Sequence, residues 1–470
     1  MKERAMESPL QAAQFNAVPV TLAQVVVPKT RLLKRNLAMS LTQRWSVIVR
    51  VFVRARGIRA CVAAVLLSSS AIVFACPPTV ILLSWDGLRH DYVRLHPEVA
   101  LPGLARFATE GAVAERLIPV FPSNTFPGHV SLATGTYPDR HGIVDNVFLD
   151  RERGMYRYSP DAGWLDAEPL WIAAERQGIP AATYFWVGSE TDWRGQGTRF
   201  REAPFDGDRP ESAKVDRILD WLALAPAERP RLIMSYWAGA DGAGHLHGPD
   251  SAEVREALEA QDQELVRLLR ALDEKQAWAH TTLLVVSDHG MMVRGESLEL
   301  GAALEAAGIQ AQVFGATTAH VFLNDLADLD RAEQTARALE NVQVFRRESV
   351  PPALRLHHPT RTGDLVVLAE PPFTLDRPAG IEGQMMMAAQ ALGRDFGMHG
   401  YDPALPDMGG AFLALGRGAT QGARLGLVRQ IDVAATVAGL LGIDPPLQSE
   451  GRAIDGIAAD QRPTPESCSR

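Results

Sequence analysis

Three cysteines in 470 residues are too few for a disulfide framework, and no CxxC spacing offers a thiolate metal site. One bridge between Cys76 and Cys468 is the most the processed chain could form. There is no internal repeat and no low-complexity tract, which excludes solenoid and fibrous architectures. Positive charge is scarce beyond the first 76 residues: residues 77–470 hold 36 Lys and Arg against 54 Asp and Glu, a net of −18. A body that acidic suits neither duplex nucleic acid nor an anionic membrane surface, so an anionic substrate needs a local positive centre. With 46% hydrophobic and 22% charged residues, the composition is that of a globular protein with a sizeable core.

Residues 1–76 differ, with 11 Lys and Arg against 2 Asp and Glu. Arg50, Arg54, Arg56 and Arg59 precede CVAAVLLSSSAIVFAC, Cys61 to Cys76, which carries no charge. A basic region, a short apolar core and small residues describe a secretory signal, so export is expected, with Met39 an alternative start. The rival is a membrane anchor, but the run from Ala60 to Cys76 is barely long enough to span, and Pro77-Pro78 ends it. VFAC also resembles a bacterial lipoprotein processing site, which would attach the chain to a membrane through a lipidated Cys76.

The body alternates strand and helix patterns. TVILLSW (Thr79–Trp85), AATYFWV (Ala181–Val187), RLIMSYW (Arg231–Trp237) and TTLLVVS (Thr281–Ser287) are short apolar runs rich in β-formers. Helical spacing marks Pro102–Gly111, Ser212–Leu224 and a long helix from Asp250, whose carboxylate is the expected cap. A final strand (Gly410–Gly416) and a helix near Gln430–Leu441 complete the pattern. The expected fold is therefore a doubly wound, mostly parallel α/β sheet flanked by helices. The catalytic part would comprise 77–298 and 388–455, interrupted by a small α+β insert at 299–387 and followed by a loose tail at 456–470.

In such sheets ligands gather beyond the carboxyl ends of the strands. Asp86, Asp241 and Asp288 all follow predicted strands there. In ADGAGHLHGPD, Asp241 and His245 are four apart, which brings them to one side of a helical turn. SDHGM adds His289 beside Asp288, and GMHGYDP offers His399 between glycines. Each group alone is more often an ordinary turn, and His247, His357 and His358 read as surface histidines. Together they give three aspartates and three histidines at strand ends of one sheet. Imidazole mixed with carboxylate suits zinc, whereas carboxylates alone would favour magnesium or calcium. FPSNTFPGHVSLATGTYPDRHGIVDN (Phe121 to Asn146), rich in Pro and Gly, reads as an irregular loop presenting Thr125.

These motifs, in this order from about Thr79 to Gly451, resemble the nucleotide pyrophosphatase/phosphodiesterase family of the alkaline phosphatase superfamily. The resemblance implies an alkaline phosphatase-like fold and a short, bacterial-type, exported phosphodiesterase acting on nucleotides through a phospho-threonine. It makes Thr125 the nucleophile, with Asp86, Thr125, Asp288 and His289 holding one zinc and Asp241, His245 and His399 the other. Asn146 would donate to a phosphoryl oxygen, and Phe126 and Tyr236 would sandwich the base. A phosphomonoesterase or a non-nucleotide phosphodiesterase of the same superfamily is the nearest alternative. A sulfatase is disfavoured because neither Cys nor Ser occupies the nucleophile position. A catalytically inactive binding protein would lack a ligand or the nucleophile, and none is missing.

Overall fold

A computed structural model of the chain describes residues 77–375 and 380–457. Cys76, Cys468, the expected signal and most of the tail lie outside the described residues. Among the described residues, no helix is long and apolar enough to cross a membrane.

Eight strands form the central sheet. From edge to edge they are Ala423–Arg429, Ala112–Ile118, Phe412–Gly416, Thr281–Val286, Thr79–Trp85, Leu232–Trp237, Ala181–Tyr184 and Phe200–Glu202. All neighbours pair in parallel except Phe412–Gly416, which is antiparallel to both of its partners. Thr79–Trp85 reads as one continuous apolar run because both faces of the sheet are covered. Val80 and Leu82 join one core with Val130, Val433 and Leu440. Ile81, Leu83 and Trp85 point the other way, to Leu104, Ile218 and Leu268. Each fully buried side chain of this kind contributes about 1.5–3 kcal/mol, which holds the carboxyl ends of these strands at fixed positions.

Three strands carry no clear sequence signal, the shortest being the three-residue edge strand Phe200–Glu202. Ala112–Ile118 mixes burial and exposure, and Ala423–Arg429 lies at the sheet edge with Arg424, Gly426 and Leu427 exposed. A strand facing water cannot show an unbroken apolar run. The long helix runs Ala252–Glu274, and its cap is Ser251, not Asp250: the Ser251 hydroxyl accepts from the Val254 N–H at 3.2 Å. The other expected helices are Pro102–Glu110, Glu211–Ala223 and Asp432–Leu441.

The insert is a four-stranded antiparallel sheet in the order Ala311–Phe314, Thr318–Leu323, Leu365–Ala369, Val342–Arg346. Leu300, Leu304, Ala332 and Ala336 from its helices pack on Val321, Val344 and Val367. The chain leaves and re-enters the main domain side by side, where Met292–Val293 pairs antiparallel with Gly397–Met398. That neck delivers His399 to the ends of the main strands.

Candidate active site

Within the stretch expected as a loop, Thr125–Thr134 and Pro138–His141 are helical. Asn124 is extended (φ −117°, ψ 157°) and Thr125 is the first residue of a ten-residue helix, Thr125–Thr134. Its side chain therefore stands at a helix N-terminus, where the helix dipole favours negative charge.

Asp86 directly follows the central strand Thr79–Trp85 and is 3% exposed. Its Oδ2 accepts from the Tyr236 hydroxyl at 2.8 Å. Gly239 passes so close beneath that a Cβ there would collide with the Asp86 carbonyl, and its φ of +59° also suits glycine. Asp288 follows Thr281–Val286, and its Oδ1 accepts from the backbone N–H groups of Gly87 (3.1 Å) and His289 (3.0 Å). Asp241 begins a helix, Asp241–His247, so His245 comes round to 3.4 Å from its Oδ1.

The three histidines share one orientation. Nδ1 of His289, His399 and His245 lies 2.9, 3.0 and 3.1 Å from the carbonyls of Gly290, Ser123 and Gly397. A carbonyl only accepts, so each Nδ1 carries the proton and each Nε2 presents a bare lone pair to the site. The Nε2 atoms of His399 and His245 face each other at 3.1 Å. Two lone pairs at that distance repel unless a cation lies against both.

The carboxylates carry the same signature. Oδ1 of Asp86, Oδ1 of Asp241 and Oδ2 of Asp288 are buried without a hydrogen-bond partner. Burial, with the charges of Asp288 and Asp241 added, drives the Asp86 carboxyl well above its ordinary range. Two groups of ligand atoms, each within 4.8 Å, emerge: Asp86, Asp288 and His289, and Asp241, His289 and His399. His289 borders both, its ring stacked on His399 with centroids 3.6 Å apart. His245 joins the second group through its contacts with Asp241 and His399. The residues thus fit two metal ions, and their mixed imidazole and carboxylate donors fit zinc.

Thr125 Oγ1 lies 3.2 Å from His289 Nε2, at the edge of the first group. Asn146 is close by: its Oδ1 accepts from the Phe126 N–H at 2.8 Å, which turns its amide N–H₂ towards the cavity. Asp145 Oδ1 fixes this arrangement by accepting from the Asn146 N–H (2.6 Å) and the Asn124 amide (2.8 Å). His129, one turn along the Thr125 helix, donates to the Thr125 carbonyl at 2.8 Å and lies 3.3 Å from Asp288 Oδ2.

A cavity of about 440 Å³ opens over Thr125 and Asp86, walled by Phe126, Tyr158, Phe185, Phe205 and Tyr236. Phe126 meets Tyr158 edge-on at 5.1 Å. The ring of Tyr236 packs edge-on against His129 (5.3 Å) and Phe205 (6.0 Å). Both expected aromatics therefore reach the cavity, but Tyr236 is also bound to Asp86. Tyr236→Phe is expected to lower metal affinity at the first group by about 10–100-fold while keeping the ring. Competition against a chromophoric chelator measures this, and unchanged affinity would contradict it.

Residues 80–402, more than half of the chain, match the family described as type I phosphodiesterase/nucleotide pyrophosphatase. The chain belongs to that family. A fission yeast (Schizosaccharomyces pombe) pyrophosphatase/phosphodiesterase is 36% identical over 220 residues, 45% of this chain and 44% of the yeast protein. Human ectonucleotide pyrophosphatase/phosphodiesterase family member 1 is 33% identical over 225 residues, 46% of this chain and 24% of the human protein. The chain thus spans less than half the length of these relatives, and their eukaryotic origin lends no support to a bacterial-type member. Murine ectonucleotide pyrophosphatase/phosphodiesterase 5, solved in an inactive form with AMP, shares the fold with a TM-score of 0.71 at 23% identity. That match covers 78% of this chain and 96% of the murine one. The alkaline phosphatase-like architecture expected from the motifs is thereby the observed one.

Proposed function

We propose that this phosphodiesterase-family chain hydrolyses nucleotide phosphodiesters or phosphoanhydrides by two displacements at phosphorus, with Thr125 as the first nucleophile. The observation that carries the reading is Thr125 at a helix N-terminus, 3.2 Å from His289 and beside two groups of orphaned metal-ligand atoms. Bound at these groups, zinc ions would activate the hydroxyl and the water and neutralise charge on the attacking and leaving oxygens. Asp86, Thr125, Asp288 and His289 would hold one ion, and Asp241, His245 and His399 would hold the other. In the first displacement Thr125 Oγ bonds to phosphorus and the leaving alcohol or phosphate departs. In the second, water releases the nucleoside monophosphate and restores Thr125. The Asn146 amide donates to a nonbridging oxygen throughout, held in direction by Phe126 N–H and Asp145.

The aromatic cavity supports a nucleoside as the retained half, since base stacking is worth about 1–3 kcal/mol per base and tolerates any base. The AMP held by the murine relative agrees with that class. Phe126 and the 51%-exposed Phe205 line the cavity, whereas Tyr236 also secures Asp86. Phe126→Ala and Phe205→Ala are expected to lower kcat/KM for a nucleotide ester by about tenfold or more and to spare a simple aryl phosphodiester. Tyr236→Ala should impair both. Equal losses on both substrates for Phe126→Ala and Phe205→Ala would remove the nucleotide reading. Export, with a new N-terminus near Cys76, is part of the proposal. Mass spectrometry of natively expressed protein tests it, and an intact chain starting at Met1 in the cytoplasm would contradict it.

A further inference from the structure

One buried charge near the aromatic cavity has no part in the chemistry above. Lys214 lies on the helix Glu211–Ala223 and is 3% exposed. Its Nζ donates to Glu211 Oε1 at 3.1 Å, one turn back on the same helix. Burial draws its pKa down from the ordinary lysine value, and the Glu211 carboxylate counters that shift. The ammonium also lies against two aromatic rings, with Nζ 5.5 Å from the centroid of Tyr236 and 6.0 Å from that of Phe185. At such distances the π electrons of a ring attract a cation.

Glu211 has a second task. Its Oε1 also accepts from the Ala238 N–H at 3.0 Å, and Ala238 directly follows the strand Leu232–Trp237 that carries Tyr236. The ion pair is thus tied both to the end of that strand and to the ring on it. Phe185 and Tyr236 line the aromatic cavity, but Lys214 does not. Its influence on the site therefore passes through the rings. The Tyr236 hydroxyl donates to Asp86 Oδ2 at 2.8 Å, while Asp86 Oδ1 is buried with no protein partner. Positive charge against the ring draws electron density from the phenolic oxygen, which makes its O–H a stronger donor. Glu211, Lys214, Tyr236 and Asp86 form one connected series that ends on a metal ligand.

We infer that Lys214, held by Glu211, is a positioning residue for the metal centre. Through the Tyr236 ring it strengthens the hydrogen bond that aims Asp86, and so raises the affinity of the first group for zinc. The inference rests on the two-metal reading of the site.

Its test measures zinc affinity, by competition against a chromophoric chelator, in the parental protein, Lys214→Met, Tyr236→Phe and Lys214→Met/Tyr236→Phe. Methionine keeps much of the lysine's length and removes its charge. Lys214→Met is expected to weaken, by about fivefold, the same binding step that Tyr236→Phe weakens. In the Tyr236→Phe background it should leave that step nearly unchanged, because the hydroxyl it acts through is gone. A residue that only supports the fold would lower Tm in both backgrounds and show no such dependence. Unchanged affinity in folded Lys214→Met, or the same loss in both backgrounds, overturns the inference. If Lys214→Met unfolds because Glu211 is left unpaired, Glu211→Gln/Lys214→Met takes its place, since glutamine keeps an oxygen for the Ala238 N–H. The same outcomes then decide. Unfolding of that variant too, with or without zinc, would show that the pair serves the fold alone and would overturn the inference. No substrate enters the measurement, so it stands apart from the hydrolytic reading. A parental protein that binds no zinc ends the two-metal reading, whereas zinc binding without the coupling ends only this inference.

Discussion

Thr125→Ala is expected to lower turnover of a nucleotide ester by about 10⁴-fold or more, the scale seen when an enzyme loses its nucleophile. The loss should fall on kcat, because the aromatic cavity and the Asn146 amide remain. Fold and metal content should survive. The methyl side chain still fits the first turn of Thr125–Thr134, and Asp86, Asp288 and His289 keep their own supports. Thr125→Ser keeps the hydroxyl at the same helix N-terminus and should retain part of the activity. Circular dichroism and zinc analysis alongside the kinetics separate this outcome from misfolding. Parental rates in folded Thr125→Ala would show that another group attacks phosphorus.

Chelation is the second large effect. Elemental analysis should find two zinc ions per chain, and removing them should abolish hydrolysis and lower Tm. The physical reason lies in the protein: three buried carboxylate oxygens and two facing imidazole lone pairs are left without counter-charge when the metal goes. Ligand binding to the folded state alone contributes about 4 kcal/mol at a thousandfold excess over Kd, so the drop should be plain in a thermal melt. Restoring zinc should restore both properties. Full activity after verified metal loss, or an unchanged Tm, would contradict the two-metal centre.

Much of the site was legible because its residues obey local rules. Asp241 and His245 are one helical turn apart, and Asp86 and Asp288 follow short apolar runs that read as buried parallel strands. Long-range placement was legible only through the motif resemblance, as with His399, which reaches the centre by the pairing of Met292–Val293 with Gly397–Met398. Other features have no local signature. The helix at Thr125 was hidden by Pro127 and Gly128, which read as loop residues yet are compatible with a first helical turn. Ser251 displaced Asp250 as cap because the helix begins one residue later than its charge pattern suggests. Tyr236 was legible as an aromatic near the site, but its hydroxyl bond to Asp86 crosses 150 residues. Phe205, Tyr158 and Asp145 join the site through tertiary packing, which spacing along the chain does not encode.

The most direct test of the account is the stereochemistry at phosphorus. A nucleoside phosphorothioate ester of known configuration would be hydrolysed in heavy-oxygen water and the product's configuration read by phosphorus NMR. Two successive in-line displacements, first by Thr125 and then by water, predict overall retention. Overall inversion would mean that water attacks the substrate directly and that Thr125 never becomes covalently bound.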